Sequence, residues 1–369
     1  MYANYDLTLL SSVGARIAQL DAFSSLTYAR SVNNVGAASV TVPFDARVWA
    51  QAGRDSILEI WRTGANRKRA LGAVWLLSGR SMALASDGTE TMTLTYVDQL
   101  DVLNRYSIYA QPTDSNAVYA AVPAESLIKS VVRSEVLTAN TAVGRLGLGS
   151  YITMEPDEQR GAAVSAQVNM QNVLAVAQNA CQTSAQAGLY LCFDMEPQTA
   201  LSWQFCCYSG QRGVDRSAGS PYPLFVSAQG GRASERTYSE NYLDSASTAI
   251  CGGQVASGAQ VVAVATDAAL DSLGPFAHTE TYSGAQNTAD QATIYSQAQA
   301  ALRAGRPSYT WTGTFVETAS ARWGRDIDFG DTIMVSAAGR QQAMRIEGVS
   351  VSVDSGTEKI TLTAQGQLS

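Results

Sequence analysis

The first hundred residues read as short β segments set between turn signals, and the last segment alternates apolar and polar side chains cleanly. In Thr91-Met92-Thr93-Leu94-Thr95-Tyr96, Met92, Leu94 and Tyr96 fall on one face, the period of a half-buried strand. Residues 38–43, 57–61 and 73–77 are further short β segments. Turn signals at Asn33-Asn34, Gly53-Arg54-Asp55, Gly64-Ala65-Asn66 and Asp87-Gly88 separate them, so residues 1–105 are expected to form a first β-barrel domain.

The pattern changes after Asn104. Residues 124–137 and 169–186 have helical spacing, the second through Met170, Val173, Leu174, Ala177 and Cys181, with Asn169 to cap it and Gly188 to end it. Segments 189–193 and 201–208 follow as a strand pair, giving an α+β middle domain over 106–200 and a second α+β region over 201–304. The latter closes on a linking helix that starts at the capping-box spacing Thr288-Ala289-Asp290-Gln291 and runs through Ile294, Ala298, Ala301 and Leu302 to Gly305 and Pro307.

Strand character returns over 309–317, 331–336, 343–353 and 358–364, with Asp354-Ser355-Gly356 as a hairpin turn, so 305–369 is expected to be a second β-barrel domain. There the apolar phase slips: Met344 and Ile346 are followed by Val349, Val351 and Val353, which predicts a bulge at Glu347-Gly348. Bulges sharpen curvature and suit a closing barrel. The fold class expected is α+β and β-rich, with two β-barrel-like domains at the chain ends and small α+β domains between them.

Composition narrows the functional classes. The 369 residues are 46% hydrophobic, enough for real cores, but only 15% charged with a formal net charge of -7, which leaves no footprint for gripping a phosphate backbone. Five cysteines without paired spacing predict buried free thiols. Met1-Tyr2-Ala3-Asn4-Tyr5-Asp6 has no basic start or apolar core of a secretory signal, and no apolar run reaches about 18 residues, so synthesis in the cytoplasm without membrane insertion is expected.

Candidate chemistry is sparse. Asp326, Asp328 and Asp331 approach a calcium loop but lack its next ligand, its glycine and its closing glutamate. Gly330 and Asp331 are therefore read as a structural turn, Gly330 giving backbone freedom and Asp331 a local hydrogen bond. The Gly147, Gly149 and Ile152 run lacks the third glycine of a dinucleotide loop. His278 is the sole histidine and is expected to be structural, in a strand over 277–282. Glu155, Asp157 and Glu158 are expected in a solvated loop. No metal, cofactor or catalytic residue is predicted.

Four stretches in order carry a resemblance. They are 23–36 with Ser39-Val40-Thr41-Val42-Pro43; Asn172-Val173-Leu174-Ala175-Val176-Ala177 through Ala187-Gly188-Leu189; Tyr208-Ser209-Gly210 leading across 211–214 to Asp215-Arg216-Ser217; and Gly324-Arg325-Asp326-Ile327-Asp328-Phe329-Gly330-Asp331-Thr332-Ile333. Together they resemble the tail-tip hub proteins of long-tailed bacteriophages, a family similar to the N-terminal module of tail-associated lysins and to the contractile-tail baseplate hub. The resemblance implies a non-enzymatic virion protein assembled in the host cytoplasm, a homotrimer whose chains each set two β-barrel tube domains around the tail axis. It implies as partners a distal tail or tail tube protein above and tip, central fibre or receptor-binding proteins below. The tape-measure protein and then DNA would pass transiently through the lumen. Some members carry a peptidoglycan-cleaving domain after the hub; the sequence ends at Ser369 after the last predicted strand, so none is expected. Two other readings stay open: a carbohydrate or receptor binder using Trp61, Trp75, Trp203, Trp311 and Trp323, and a cell-wall hydrolase using the carboxylates named above.

Overall fold

Alternating segments from both ends of the chain meet in one sheet in the computed structural model, which describes residues 4–63, 67–109, 118–168, 170–227, 231–243, 245–256, 258–272, 274, 276–284, 290–318, 321–337, 339–354 and 356–367. The first region folds as β1 (Asn4–Leu10), β2 (Arg16–Gln19), β3 (Ser25–Ser31), β4 (Ala37–Pro43), β5 (Ile57–Thr63), β6 (Arg67–Arg69), β7 (Trp75–Leu84) and β8 (Glu90–Asp98). Between β4 and β5, α1 (Ala46–Gln51) starts at Asp45, whose carboxylate accepts from the Arg47 and Val48 amides. The turn signal at Gly64-Ala65-Asn66 lies outside the described residues.

A separate core fills the middle of the chain. It comprises α2 (Asp101–Asn104), β9 (Val118–Pro123), α3 (Ala124–Val132), β10 (Ile152–Met154), β11 (Ala163–Gln167), α4 (Val173–Gln186), β12 (Leu191–Pro197) and β13 (Trp203–Ser209). The helix expected over 124–137 widens into a π turn from Arg133 to Leu137. Asn169 lies outside the described residues, and Asn172 caps α4 by accepting from the Ala175 amide at 3.2 Å. Gly188, at φ +82°, follows the helix end in the left-handed conformation. The strand pair after it is antiparallel, Leu191 opposite Ser209.

Next come β14 (Asp215–Arg216), β15 (Phe225–Val226), β16 (Ala233–Asn241), β17 (Thr248–Ala256), β18 (Ala259–Thr266), α5 (Ala268–Asp271), β19 (Glu280–Gly284) and α6 (Gln291–Ala304). Ile294, Ala298 and Leu302 of α6 pack on Ala249, Cys251, Ala263 and Ala265 as a third, small core. Thr288 and Ala289 of the capping box lie outside the described residues. The chain ends with β20 (Ser308–Phe315), β21 (Thr332–Ala337), β22 (Arg340–Asp354) and β23 (Thr357–Gln367). All five cysteines are free and buried, and burial pushes the Cys192 and Cys206 thiols up to about 12. No helix among the described residues is long and apolar enough to cross a membrane.

The strand order of the large sheet is β16-β20-β23-β22-β3-β4-β8-β7-β5-β1-β2. The long β22 holds it together. One edge pairs with β23, while the other pairs first with β21, Arg345 opposite Thr332, and then with β3, from Gly348 opposite Ser31 to Asp354 opposite Ser25. The register on β23 shifts between Ile346 and Gly348, so Met344, Ile346, Val349, Val351 and Val353 all reach the core despite their slipped spacing.

The fold is β-rich α+β, as expected, but among the described residues no sheet closes on itself, so the two expected barrels are not seen there. Closure requires a sheet's two edges to pair with each other. Here β3 takes the edge of β22, and Tyr28, Val40 and Tyr96 share one core with Trp311, Val351 and Leu362.

Inserting one alanine between Gly348 and Val349 would turn Val349, Val351 and Val353 away from that core, because the bulge already absorbs one extra residue. At about 1.5–3 kcal/mol for each buried side chain of this size, urea titration should show loss of several kcal/mol or of cooperative folding.

Candidate functional site

Gly330 and Asp331 form the turn into β21. Gly330 has φ +88°, and a Cβ there would stand 2.9 Å from Arg212 Cβ, so glycine answers both backbone and space. Asp331 is buried; Oδ1 accepts from the Val214 amide at 2.7 Å, and Oδ2 from the Asp328 amide at 2.9 Å and Arg216 Nε at 3.0 Å. Burial pushes its carboxyl pKa up, opposed by those donors. The turn thus pins the loop carrying β14 onto β21. Asp326 faces Arg325 and Asp328 faces Lys68, so the three aspartates do not converge on one point.

Glu347 and Gly348 sit where β22 changes partners. The Tyr190 hydroxyl donates to Glu347 at 3.0 Å, Arg345 Nη1 lies 3.2 Å from the same carboxylate, and the Arg345 guanidinium stacks 3.5 Å from the Tyr190 ring centroid. The bulge therefore also ties the large sheet to the start of β12.

A second tie escaped sequence reasoning. Arg30 is buried on the core side of β3 and donates to Asp98 at 2.8 Å, to Asp194 at 2.5 Å and to the Leu71 carbonyl at 2.9 Å. Arg212 reaches the other Asp194 oxygen at 2.6 Å. Burial acts against every charge here, but two guanidinium groups hold Asp194 below the usual carboxylate range, while Asp98, with one, is pushed up. Gln99 completes the seam, accepting from the Val74 amide at 3.0 Å and donating to the Met195 carbonyl. The signal was available: Arg30 continues the phase of Leu26 and Tyr28, and Asp98 that of Leu94 and Tyr96.

The resulting surface feature is a run of eight strands, β16-β20-β23-β22-β3-β4-β8-β7, open at both ends. At one end β7 pairs with β5 only at Trp75 and Leu76, and from Gly79 to Leu84 its outer edge has no strand partner among the described residues. Met82 and Leu84 are exposed there. At the other end β16 pairs with β20 alone among the described residues. Unpaired edges are ready-made templates for a further strand.

Residues 6–364 match the Siphovirus ReqiPepy6 Gp37-like protein family. The chain belongs to that family. No curated protein sequence matches it. Among solved structures it is similar to the 43 kDa tail protein of prophage MuSo2 from Shewanella oneidensis, with a TM-score of 0.63 at 12% identity, covering 98% of each chain. It is also similar to the tail protein from Neisseria meningitidis MC58, with a TM-score of 0.62 at 10% identity, covering 98% of this chain and 97% of that one. Prophage tail protein gp18 from Listeria monocytogenes EGD-e gives 0.57 at 10% identity, covering 97% and 94%. Identities this low speak for the fold. The chain thus belongs to a siphovirus protein family and has the fold of phage tail proteins, in agreement with the resemblance to a bacteriophage tail family read from its sequence.

For this family member the residues set against that reading are otherwise engaged. Glu125, Glu155 and Cys207 lie close enough to hold an ion, but Lys129 and Arg160 fill the space between the carboxylates. Burial raises the Glu125 pKa, yet hydrogen bonds from Arg160 and Lys129 outweigh it and hold the group at about 2. Such a carboxyl is no general acid. Asp157 and Glu158 are exposed. Trp75, Trp203, Trp311 and Trp323 are buried, and Trp61 lies under Arg67 and Arg69, each 4.9 Å from its ring centroid. These rings pack and do not form a stacking surface. His278 precedes β19 instead of lying in it, and is exposed, with Nδ1 2.8 Å from Asp271 and Nε2 3.1 Å from Glu280.

Asp194→Asn should cost about 3–5 kcal/mol in denaturant titration, because it leaves buried guanidinium groups underpaired. Asp194 is depressed, so its contribution is present above the unfolded carboxylate pKa and lost as pH falls through the folded value. The two carboxylates raise the His278 pKa. An NMR titration should place it above the free imidazole value, with Asp271→Asn lowering it.

Proposed function

We propose that this protein is the tail-tip hub: a homotrimeric ring joining the distal tail or tail tube protein to tip, central fibre or receptor-binding proteins, with the tape-measure protein and then DNA passing through its channel. The observation that carries this reading is the eight-strand run with both edges open. An edge at each end of one sheet makes a head-to-tail, heterologous contact, the kind that generates a ring when the rotation closes. Each run consists of two four-strand halves, β16-β20-β23-β22 and β3-β4-β8-β7, drawn from opposite parts of the chain. Three copies would then present six similar units, which suits a six-fold tube.

In this reading residues 1–105 and 305–369 supply the tube units, with β16 lent by the 201–304 region, and 106–200 stands beside them. The turn at Gly330 and Asp331 and the bulge at Glu347 and Gly348 are structural devices that set the sheet's course. The protein acts by binding and gating, without catalysis, cofactor or metal, and resides in the virion after assembly in the host cytoplasm.

Particles recovered from assembled tail tips should have the native mass of three hub chains. Met82→Lys with Leu84→Lys touches exposed edge residues, so stability should move by no more than about 0.5 kcal/mol, while the particle falls from three chains to one. One or six copies on the axis, or an intact ring in the double variant, would overturn the reading.

A further inference from the structure

Four segments distant in the chain enclose a cleft of about 540 Å³: β6 with the turn after it, the end of β12, the loop of β14 and the turn into β21. Lys68, Arg69, Arg212, Arg216 and Arg325 line it, against three carboxylates, Glu196, Asp328 and Asp331. Cations therefore prevail here, in a chain whose net charge is -7. The volume falls in the range of about 300–1,000 Å³ usual for ligand sites.

The cations are of two kinds. Arg69 and Arg212 are built into the wall: Arg69 reaches Glu59 at 2.8 Å and the Pro197 carbonyl at 3.1 Å, while Arg212 reaches Asp194 at 2.6 Å and lies 5.0 Å from the Phe329 ring centroid. Arg216 is only partly used. It gives Nε to Asp331 at 3.0 Å, and its two terminal nitrogens have no hydrogen-bond partner among the described residues. Lys68 Nζ stands 3.6 Å from Asp328, beyond hydrogen-bond length, on a half-exposed side chain.

The carboxylates divide in the same way. Asp331 is buried and saturated by its own turn, whereas Glu196 accepts from the Tyr208 hydroxyl and Asp328 from the Phe329 amide, which leaves acceptor capacity on both. Leu71, Pro197, Val214 and Phe329 add apolar lining. Leu71 is held at φ +51° with its carbonyl fixed by Arg30 at 2.9 Å, a strained and preformed wall of the kind that collects at binding sites.

Open guanidinium and ammonium groups call for carboxylates or phosphates; Glu196 and Asp328 call for donors. A peptide brings both carboxylates and N–H groups. A phosphate backbone brings acceptors alone and would stand against the two free carboxylates.

We infer that this cleft docks an acidic segment of a neighbouring polypeptide, with the segment's carboxylates on Arg216 and Lys68 and its N–H groups on Glu196 and Asp328. The cleft lies within a single chain, so this docking does not depend on the ring.

Fluorescence anisotropy of the full chain with a labelled hexaglutamate peptide tests it. Binding should saturate and should weaken as salt is raised. Lys68→Glu removes a charge-assisted contact and adds a repulsion, so it should weaken binding about ten-fold or more. Val214→Glu should act in the same direction. Both side chains are exposed, so the urea midpoint should not move. Arg47→Gln removes an exposed cation that does not line the cleft and should leave binding unchanged.

No binding of hexaglutamate, equal binding of hexalysine, or an equal loss in Arg47→Gln would overturn the acidic-segment reading. Wild-type affinity in Lys68→Glu and Val214→Glu overturns the location. An oligothymidylate of six phosphates that binds more tightly than hexaglutamate, and is lost in the same two variants, makes this a phosphate site and overturns the polypeptide assignment. None of these outcomes touches the native mass of the assembled tip, so the hub reading is decided separately.

Discussion

The pairing of β22 with β3 is the constraint on which the rest depends. It joins segments from opposite ends of the chain, from Gly348 opposite Ser31 to Asp354 opposite Ser25. Loop-closure entropy grows only slowly with length, so so distant a contact is thermodynamically acceptable, although it slows folding. Once made, it merges two β regions into one core and denies either the chance to close as a barrel. It also leaves edges without a strand partner, among the described residues, at the far ends of the run.

Charge in this protein is spent at seams. Arg30, Asp98, Asp194 and Arg212 lock the large sheet to the middle region. Arg62 of β5 donates to Glu358 of β23 at 2.7 and 2.8 Å and to Glu317 at 3.0 Å, and the Tyr5 hydroxyl joins Glu358, fastening the first strands to the last. Buried pairs contribute little net stability because desolvation offsets their attraction, but removing one partner is costly, so they act against misplaced arrangements. A chain with few charged residues that places so many inside has correspondingly few for its sheet surface.

Strand edges that carry no strand partner among the described residues, at β16 and over the outer part of β7, leave directional backbone hydrogen-bonding groups open to a neighbouring protein. Glu125 and Glu155, the acidic pair nearest to a catalytic geometry, are neutralised by Lys129 and Arg160 in an arrangement that stabilises local structure.

Much of this was legible in the sequence because alternation is local. Met92, Leu94 and Tyr96, the slip after Ile346, the helix ending at Gly188 and the Gly330-Asp331 turn follow from side-chain period and backbone freedom, properties of a few adjacent residues. The order of four short stretches pointed to the tail-protein family. Partner choice was not legible: the same alternating strand serves a barrel, a sandwich or an open run, and only the three-dimensional structure decided that β22 meets β3. The roles of Arg30 and Asp98 were hidden for the same reason, since their core-facing phase can be read locally but Asp194 and Arg212, which make that burial tolerable, come close only through tertiary folding. Sequence by itself determined which face of each strand is apolar; tertiary structure decided which strands stand side by side, because pairing depends on edges that no local pattern encodes.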